Sequence, residues 1–140
     1  MNSLLKVSCP ITIQFYDVDP MNVVWHGHYP RFFEEARGHL CTLLDYNYIQ
    51  MKESGFAWPI VDMRIKYVRP LFLYQKIRVE AHLVEYKNRL KIEYFIYDQT
   101  SGELLTKAHT TQVAVDSETF EMQFESPEIF INKVEGTINK

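Results

Sequence analysis

The sequence predicts an α+β fold: a single domain over residues 1–140 in which one long helix is wrapped by an antiparallel sheet of five or six strands. Three observations predict it. Apolar residues recur at helical spacing over a long stretch only once, from Tyr29 to Leu44. After Gly55 the period is two for nearly the rest of the chain. At 140 residues, 46% hydrophobic, with five glycines and six prolines, the chain is about one domain and buries roughly two-thirds of its unfolded surface. A sheet must bury one face, and the helix is the only large partner available to it.

Taken in order, residues 9–16 alternate as a strand, with Ile11, Ile13 and Phe15 on one face and Thr12, Gln14 and Tyr16 on the other. Asp17-Val18-Asp19-Pro20 ends it, because Pro20 has no N–H for a ladder and biases Asp19 away from helix. Val23, Val24 and Trp25 form an apolar patch expected to anchor the following loop in the core. Pro30 suits the first turn of a helix, where its missing N–H costs nothing. Within that helix Phe33, Ala36, Leu40, Leu43 and Leu44 make the apolar stripe, while Arg31, Glu34, Glu35, Arg37 and His39 mostly fall elsewhere. Gly38 weakens it by roughly 1 kcal/mol against alanine, which points to close packing against another backbone. Asp45-Tyr46-Asn47 breaks the helix, and a shorter piece from Tyr48 to Ser54 stops at Gly55.

Val61, Met63, Ile65 and Tyr67 then alternate with Asp62, Arg64 and Lys66, and Pro70 ends that strand. Ile77, Val79, Ala81 and Leu83 make the clearest strand, and Leu90, Ile92, Tyr94 and Ile96 the next, with a polar turn at residues 86–89 between them. Gln99-Thr100-Ser101-Gly102 is a hairpin turn. Residues 104–115 form a long strand, and Phe120 to Phe124 extend or add to the sheet. The core is expected over about residues 9–124. The tail, 126–140, shows no sustained period, and its last residues are expected to be loosely held.

Composition narrows the function. The net charge is −3 with basic residues scattered, which excludes nucleic acid as a partner, since that needs a concentrated basic face. No run approaches the ~20 apolar residues of a membrane span, and the first residues lack the apolar core and small-residue cleavage site of a signal peptide. Cys9 and Cys41 have neither CxxC nor metal spacing, so reduced structural thiols in a soluble, cytoplasmic protein are expected. The aromatic share of 14% leaves room for an apolar ligand groove, although aromatic-rich cores are the commoner explanation.

Chemistry concentrates in one segment, Thr12 to Arg37, which holds two aspartates, two histidines and an aromatic run. Asp17 and Asp19 are not given a shared role: one is expected to be buried or functional, the other to cap or face solvent. A helix starting near His28 or Tyr29 leaves its first N–H groups unpaired and carries partial positive charge there. Such groups can hold a carbonyl oxygen as negative charge develops on it. A nearby carboxylate can then attack the carbonyl or activate water. On these grounds alone, a turn or cap role for Asp19 and structural roles for the histidines compete evenly or better.

The run Asp17-Val18-Asp19-Pro20-x-Asn22-Val23-Val24-Trp25-His26-x-x-Tyr29 resembles the signature loop of the 4-hydroxybenzoyl-CoA thioesterase family of hotdog-fold proteins. Phe32-Phe33-Glu34-x-Ala36-Arg37 resembles the FFExAR run of its Tol–Pal-associated acyl-CoA thioesterase branch, and Ile65-Lys66-Tyr67-x-Arg69-Pro70 its IxYxRP element. The likeness spans roughly residues 9–116. It implies a hotdog domain that hydrolyses acyl thioesters, on coenzyme A or acyl carrier protein, without a cofactor, as a homodimer or homotetramer with sites at subunit boundaries. It implies that Asp19 is the active-site carboxylate and that the backbone amide polarising the thioester carbonyl falls at His26, whose imidazole lies at the site. Val24, Trp25 and Tyr29 are candidate substrate contacts. Lys66 and Arg69, with Arg78 and Arg89 behind them, are candidates for the phosphates of coenzyme A. Asp17 and His28 fall back to local structural roles. The chain departs from the pattern at Val18, where Thr or Cys is common, at Asn22, where Gly is common, and at Leu71-Phe72-Leu73-Tyr74-Gln75, which lacks the usual Gly-Asp.

Three other readings compete. A hotdog hydratase or dehydratase pairs a histidine with an acidic residue on the helix, here His28 with Glu34 or Glu35. A non-catalytic acyl-binding protein needs only the fold. A zinc site from His26, His28 and the aspartates rests on HxH in a loop, a weak pattern, and no metal is assigned.

Overall fold

The computed structural model describes residues 3–140; Met1 and Asn2, part of the expected domain, lie outside them. The strands are β1 (Leu5–Thr12), β2 (Phe56–Ala57), β3 (Ile60–Tyr67), β4 (Lys76–Glu85), β5 (Leu90–Asp98), β6 (Leu104–Gln112) and β7 (Val115–Asp116). The helices are α1 (Tyr29–Leu43), α2 (Tyr48–Glu53) and α3 (Glu128–Ile138). Five strands form an antiparallel sheet in the order β1-β4-β5-β6-β3, and β2 and β7 form a separate two-stranded ribbon.

The α+β arrangement is the expected one. On α1, Tyr29, Phe32, Phe33, Ala36, Leu40 and Cys41 are buried at three- and four-residue spacing. They meet the inner residues of β4 (Ile77, Val79, Ala81, Leu83) and β5 (Leu90, Ile92, Tyr94, Ile96), all at most 1% exposed. The Phe33 ring lies 4.8 Å from that of Tyr94. Burying each such side chain contributes about 1.5–3 kcal/mol, which makes the α1–sheet contact the main source of stability. The turn after α2 needs a left-handed residue, and Gly55 supplies it with φ of 90°.

Several expectations are corrected. The first strand runs over Leu5–Thr12, not residues 9–16. Its ladder stops because the Gln14 N–H is taken at 2.8 Å by Asp17 Oδ2, which closes Phe15–Asp17 into a 3₁₀ turn. Phe15 is therefore 71% exposed instead of facing inward. Pro10 is tolerated because β1 is an edge strand, bonded to β4 alone. Leu43 is exposed while Arg37 is buried, so the stripe is offset from the one the apolar residues mark. A Cβ on Gly38 would meet nothing within 4 Å, so no backbone crowds it within the protomer. Phe120 to Phe124 form no strand; Met122 makes one isolated bridge to Val115.

The tail is the largest correction. Where no sustained period was seen it forms α3, which buries Phe130 and Val134, four residues apart on one face. The Phe130 ring sits 4.8 Å from Trp58 and 5.7 Å from Tyr46, sealing the core beyond the C-terminal end of α1. Lys133 Nζ donates to Asp45 at 2.8 Å and Tyr86 Oη donates to Glu135 at 2.8 Å, tying the helix down at its middle and in its second half.

Candidate active site

Between β1 and α1 the chain folds into a small hairpin. Val18 bridges Val24 in antiparallel fashion, the Asp19 N–H donates to Val23 C=O at 2.9 Å, and the Asn22 N–H returns to Asp19 C=O at 2.9 Å. Pro20 takes the second position of this turn and Asn22 its left-handed residue, with φ of 63°. Asparagine tolerates that region better than other side chains, which explains how it replaces the family's glycine. Asp19 is half-buried. Its Oδ1 accepts the Met21 N–H at 2.8 Å, while Oδ2 has no partner among the described residues.

The second arm of the hairpin leads straight into the helix. His26–His28 form a 3₁₀ turn that continues into α1. Its first i→i+3 bond runs from the His28 N–H to Trp25 C=O at 2.9 Å, so the His26 and Gly27 N–H groups precede the bonded ladder. Trp25 is 48% exposed. It does not anchor the loop in the core as expected; that falls to Val24, 6% exposed, whose N–H donates to Leu71 C=O at 2.8 Å. The Trp25 ring instead lies against Gly27 and between the rings of His26 and His28, at 5.1 and 5.2 Å.

Two supports hold this turn. From below, the buried Asp17 carboxylate receives the Arg31 guanidinium, and Asp17 C=O accepts the Trp25 N–H at 3.2 Å. From the sheet, Tyr67 Oη donates to His26 C=O at 3.0 Å and the Tyr67 ring meets Tyr29 edge-on at 4.7 Å. Tyr29 is 2% exposed, and burial pushes its phenol up to about 12, so it stays neutral.

Val24, Trp25, His26 and Tyr29 thus lie at or just before the N-terminal end of α1, and Asp19 lies in the turn of the hairpin that leads into it. Arg69 lies nearby, two residues before Leu71, on a groove of about 430 Å³ shared with Pro70, Phe72 and Gln75, and pairs with Glu103 at 2.6 Å. Lys66 does not join them. It lines a separate concavity of about 420 Å³ on the outer sheet face with Arg64, Lys107, His109, Glu93 and Phe95. Arg78 and Arg89 are paired to Glu80 and Glu85, whereas Lys66 has no carboxylate partner among the described residues. No hydrogen bond or ion pair joins His28 to Glu34 or Glu35: Glu34 holds Arg37 and Tyr48, and Glu35 lies beside Cys9. Among the described residues no three His, Cys, Asp or Glu side chains are gathered to hold a metal ion. The supporting roles of Arg31 and Tyr67 escaped the sequence reading. The only hint for Tyr67 was its place in the IxYxRP element.

Comparison with known proteins gives a consistent picture. The family model described as the thioesterase-like superfamily matches residues 13–131. A Bacillus subtilis protein named a candidate acyl-CoA thioesterase, YneP, is 31% identical over 111 residues, 79% of this chain and 80% of that protein. Among solved structures, a DHNA-CoA thioesterase from Staphylococcus aureus superposes with a TM-score of 0.78 at 27% identity, covering 85% of this chain and 80% of the other. Slr0204, a 1,4-dihydroxy-2-naphthoyl-CoA thioesterase from Synechocystis, superposes with a TM-score of 0.82 at 18% identity, covering 92% and 95%. The helix and five-stranded sheet are those of the hotdog fold.

Proposed function

The chain belongs to the thioesterase-like superfamily, and from that premise we propose that it is an acyl-CoA thioesterase, releasing a free carboxylic acid and a thiol. The observation that carries the reading is the hairpin that leads from Asp19, whose Oδ2 has no partner among the described residues, into a helix start whose first N–H groups precede the bonded ladder. The thioester carbonyl is bound with its oxygen toward the His26 and Gly27 N–H groups, where helix-end charge stabilises a developing oxyanion.

Asp19 then acts in one of two ways with the same geometry. As nucleophile, its oxygen bonds to the carbonyl carbon, the C–S bond breaks, and water hydrolyses the mixed anhydride. As general base, it takes a proton from water, which attacks directly. In either case the His26 imidazole positions Asp19 or water, or protonates the departing thiolate. The acyl group or the pantetheine arm runs along Val24, Trp25 and Tyr29. Arg69 and, across the sheet edge, Lys66 meet the phosphates of coenzyme A; acyl carrier protein is the alternative carrier.

Assembly follows from the sheet. β3 is an edge strand with unpaired backbone groups, and Val61, Met63 and Tyr67 on it are 58%, 39% and 46% exposed. A second copy pairing there joins the two sheets and covers these side chains, giving a homodimer or, with a further such association, a homotetramer. The buried, unbridged Cys9 and Cys41 agree with a cytoplasmic setting.

The test is thiol release from short aliphatic, aromatic and long-chain acyl thioesters on both carriers. Asp19→Asn is expected to lower turnover about 10²–10⁴-fold with an unchanged circular dichroism spectrum. Near-normal turnover in that variant refutes the assignment of Asp19. A stable monomer by light scattering refutes the assembly.

A further inference from the structure

Lys66 and Arg69 of the IxYxRP element are assigned above to phosphate binding. Its tyrosine has no part in the chemistry, yet it makes the one side-chain hydrogen bond among the described residues from the sheet to the helix-start turn. Tyr67 Oη donates to His26 C=O at 3.0 Å. That carbonyl and the Gly27 N–H belong to the same peptide unit. A donor on the carbonyl side fixes the plane of the unit and polarises it, which makes the N–H on its other side a stronger donor. The Gly27 N–H is also one of the two that precede the bonded ladder. Tyr67 therefore acts on the group that would face the oxyanion without approaching the substrate.

The neighbouring chain keeps Tyr67 in place. Its ring packs edge-on against the buried Tyr29 at 4.7 Å. Four residues on, Leu71 C=O accepts the Val24 N–H at 2.8 Å, and Phe72 bridges Val23. The segment from Tyr67 to Phe72 thus grips both the hairpin that carries Asp19 and the turn that carries His26. The aromatic contact alone would hold the distance; the hydroxyl sets the orientation of the peptide.

We propose that Tyr67 is a positioning residue for thioester hydrolysis, its hydroxyl orienting and polarising the His26–Gly27 peptide that holds the carbonyl oxygen. This rests on the thioesterase reading above. Tyr67→Phe removes the hydroxyl and keeps the ring on Tyr29, so it isolates the hydrogen bond from the packing. An ordinary hydrogen bond corresponds to a change of up to about tenfold. The expected result has two parts: kcat falls about tenfold with KM within about twofold, and amide hydrogen exchange across residues 26–29 quickens by a similar factor without substrate. The melting temperature should stay close to that of the wild type. An active wild type whose Tyr67→Phe variant keeps its kcat, loses only in KM, or exchanges at the wild-type rate overturns the role of Tyr67 and leaves the thioesterase reading standing. A wild type that releases no thiol from any acyl thioester overturns both.

Discussion

The carboxylate of Asp17 is buried and takes the guanidinium of Arg31, so the segment carrying Asp19 is clamped to the first turn of α1. Asp17 is 2% exposed at its side chain and Arg31 50%, so the clamp is a buried anion closed by a half-solvated cation. Removing the cation leaves the anion buried with, among the described residues, only the Gln14 N–H to satisfy it. Arg31→Met keeps the aliphatic reach and removes the charge. It should cost about 3 kcal/mol in urea denaturation, typical of breaking one side of a buried pair. Turnover should fall as well, because the Asp19 hairpin loses its tie to the helix. A variant as stable as the wild type would show that Asp17 needs no partner.

Gly27 is required for room, not for backbone conformation. A Cβ there would stand 2.3 to 2.8 Å from three atoms of the Trp25 ring. Because Trp25 is half-exposed, its ring can swing outward, so Gly27→Ala should fold with nearly normal stability. The displaced indole should shift its fluorescence emission, and a loss of roughly 1 kcal/mol in substrate contact should raise KM about fivefold. Unchanged emission and KM would mean that Trp25 moves freely at the site already.

Most of the fold was legible because one face of each long element is buried. Along β4, Ile77, Val79, Ala81 and Leu83 alternate with Lys76, Arg78, Glu80 and His82, a period that a strand satisfies and a helix does not. What escaped depends on contacts between residues far apart or on single polar bonds. The end of β1 is set by one carboxylate–amide bond between Gln14 and Asp17, invisible to periodicity. Arg37 looks like a surface residue, yet it lies buried under Tyr48 and beside Glu34. α3 buries only Phe130 and Val134, too few to announce a helix, and its packing partners Tyr46 and Trp58 lie more than seventy residues earlier. At the site, Asp19 was reached through the resemblance and not from residue chemistry, because a turn aspartate and a catalytic one look alike in sequence. The hydrogen bond from Tyr67 to His26 spans 41 residues and has no local signature.

The departure at residues 71–75 has a conformational reading. Tyr74 holds φ of 63°, in the left-handed region where glycine is at ease, and its side chain is 66% exposed. Gln75 meanwhile makes its own bonds there, accepting the Phe72 N–H at 2.9 Å and donating to Asp98 at 3.0 Å. Tyr74→Gly relieves the strain and gives up little packing within the protomer. Offset by the greater freedom of glycine in the unfolded chain, the net gain should be about 0.5–1 kcal/mol, read as a small rise in melting temperature. A clear loss would show that the Tyr74 ring is buried in the assembly.

Alkaline stability should report on Cys41. Burial pushes its thiol up from 9.0 to about 11, Arg37 pulls it down by less, and Glu34 adds to the rise. Below pH 9 the thiol is protonated in both the folded and unfolded chain, and the stabilising preference of the fold for the neutral form is fully present. Between pH 9 and 11 the unfolded chain gives up the proton while the folded one keeps it, so stability falls as pH rises. Two pH units, each worth roughly 1 kcal/mol or a little more, give a loss of about 3 kcal/mol, complete as pH passes the folded value. Tyr29, raised to about 12, adds a loss of the same sign only above its ordinary value of 10.0. Cys9 is raised too, by burial and by Glu35, so the wild-type curve starts to fall near pH 9 from both thiols. Urea unfolding of wild type and Cys41→Ala at pH 8, 9 and 10 separates them. The variant starts lower at pH 8 by its lost packing, but its curve should fall less steeply between pH 9 and 10. Parallel curves would mean that the Cys41 thiol ionises in the folded protein as readily as in the unfolded one.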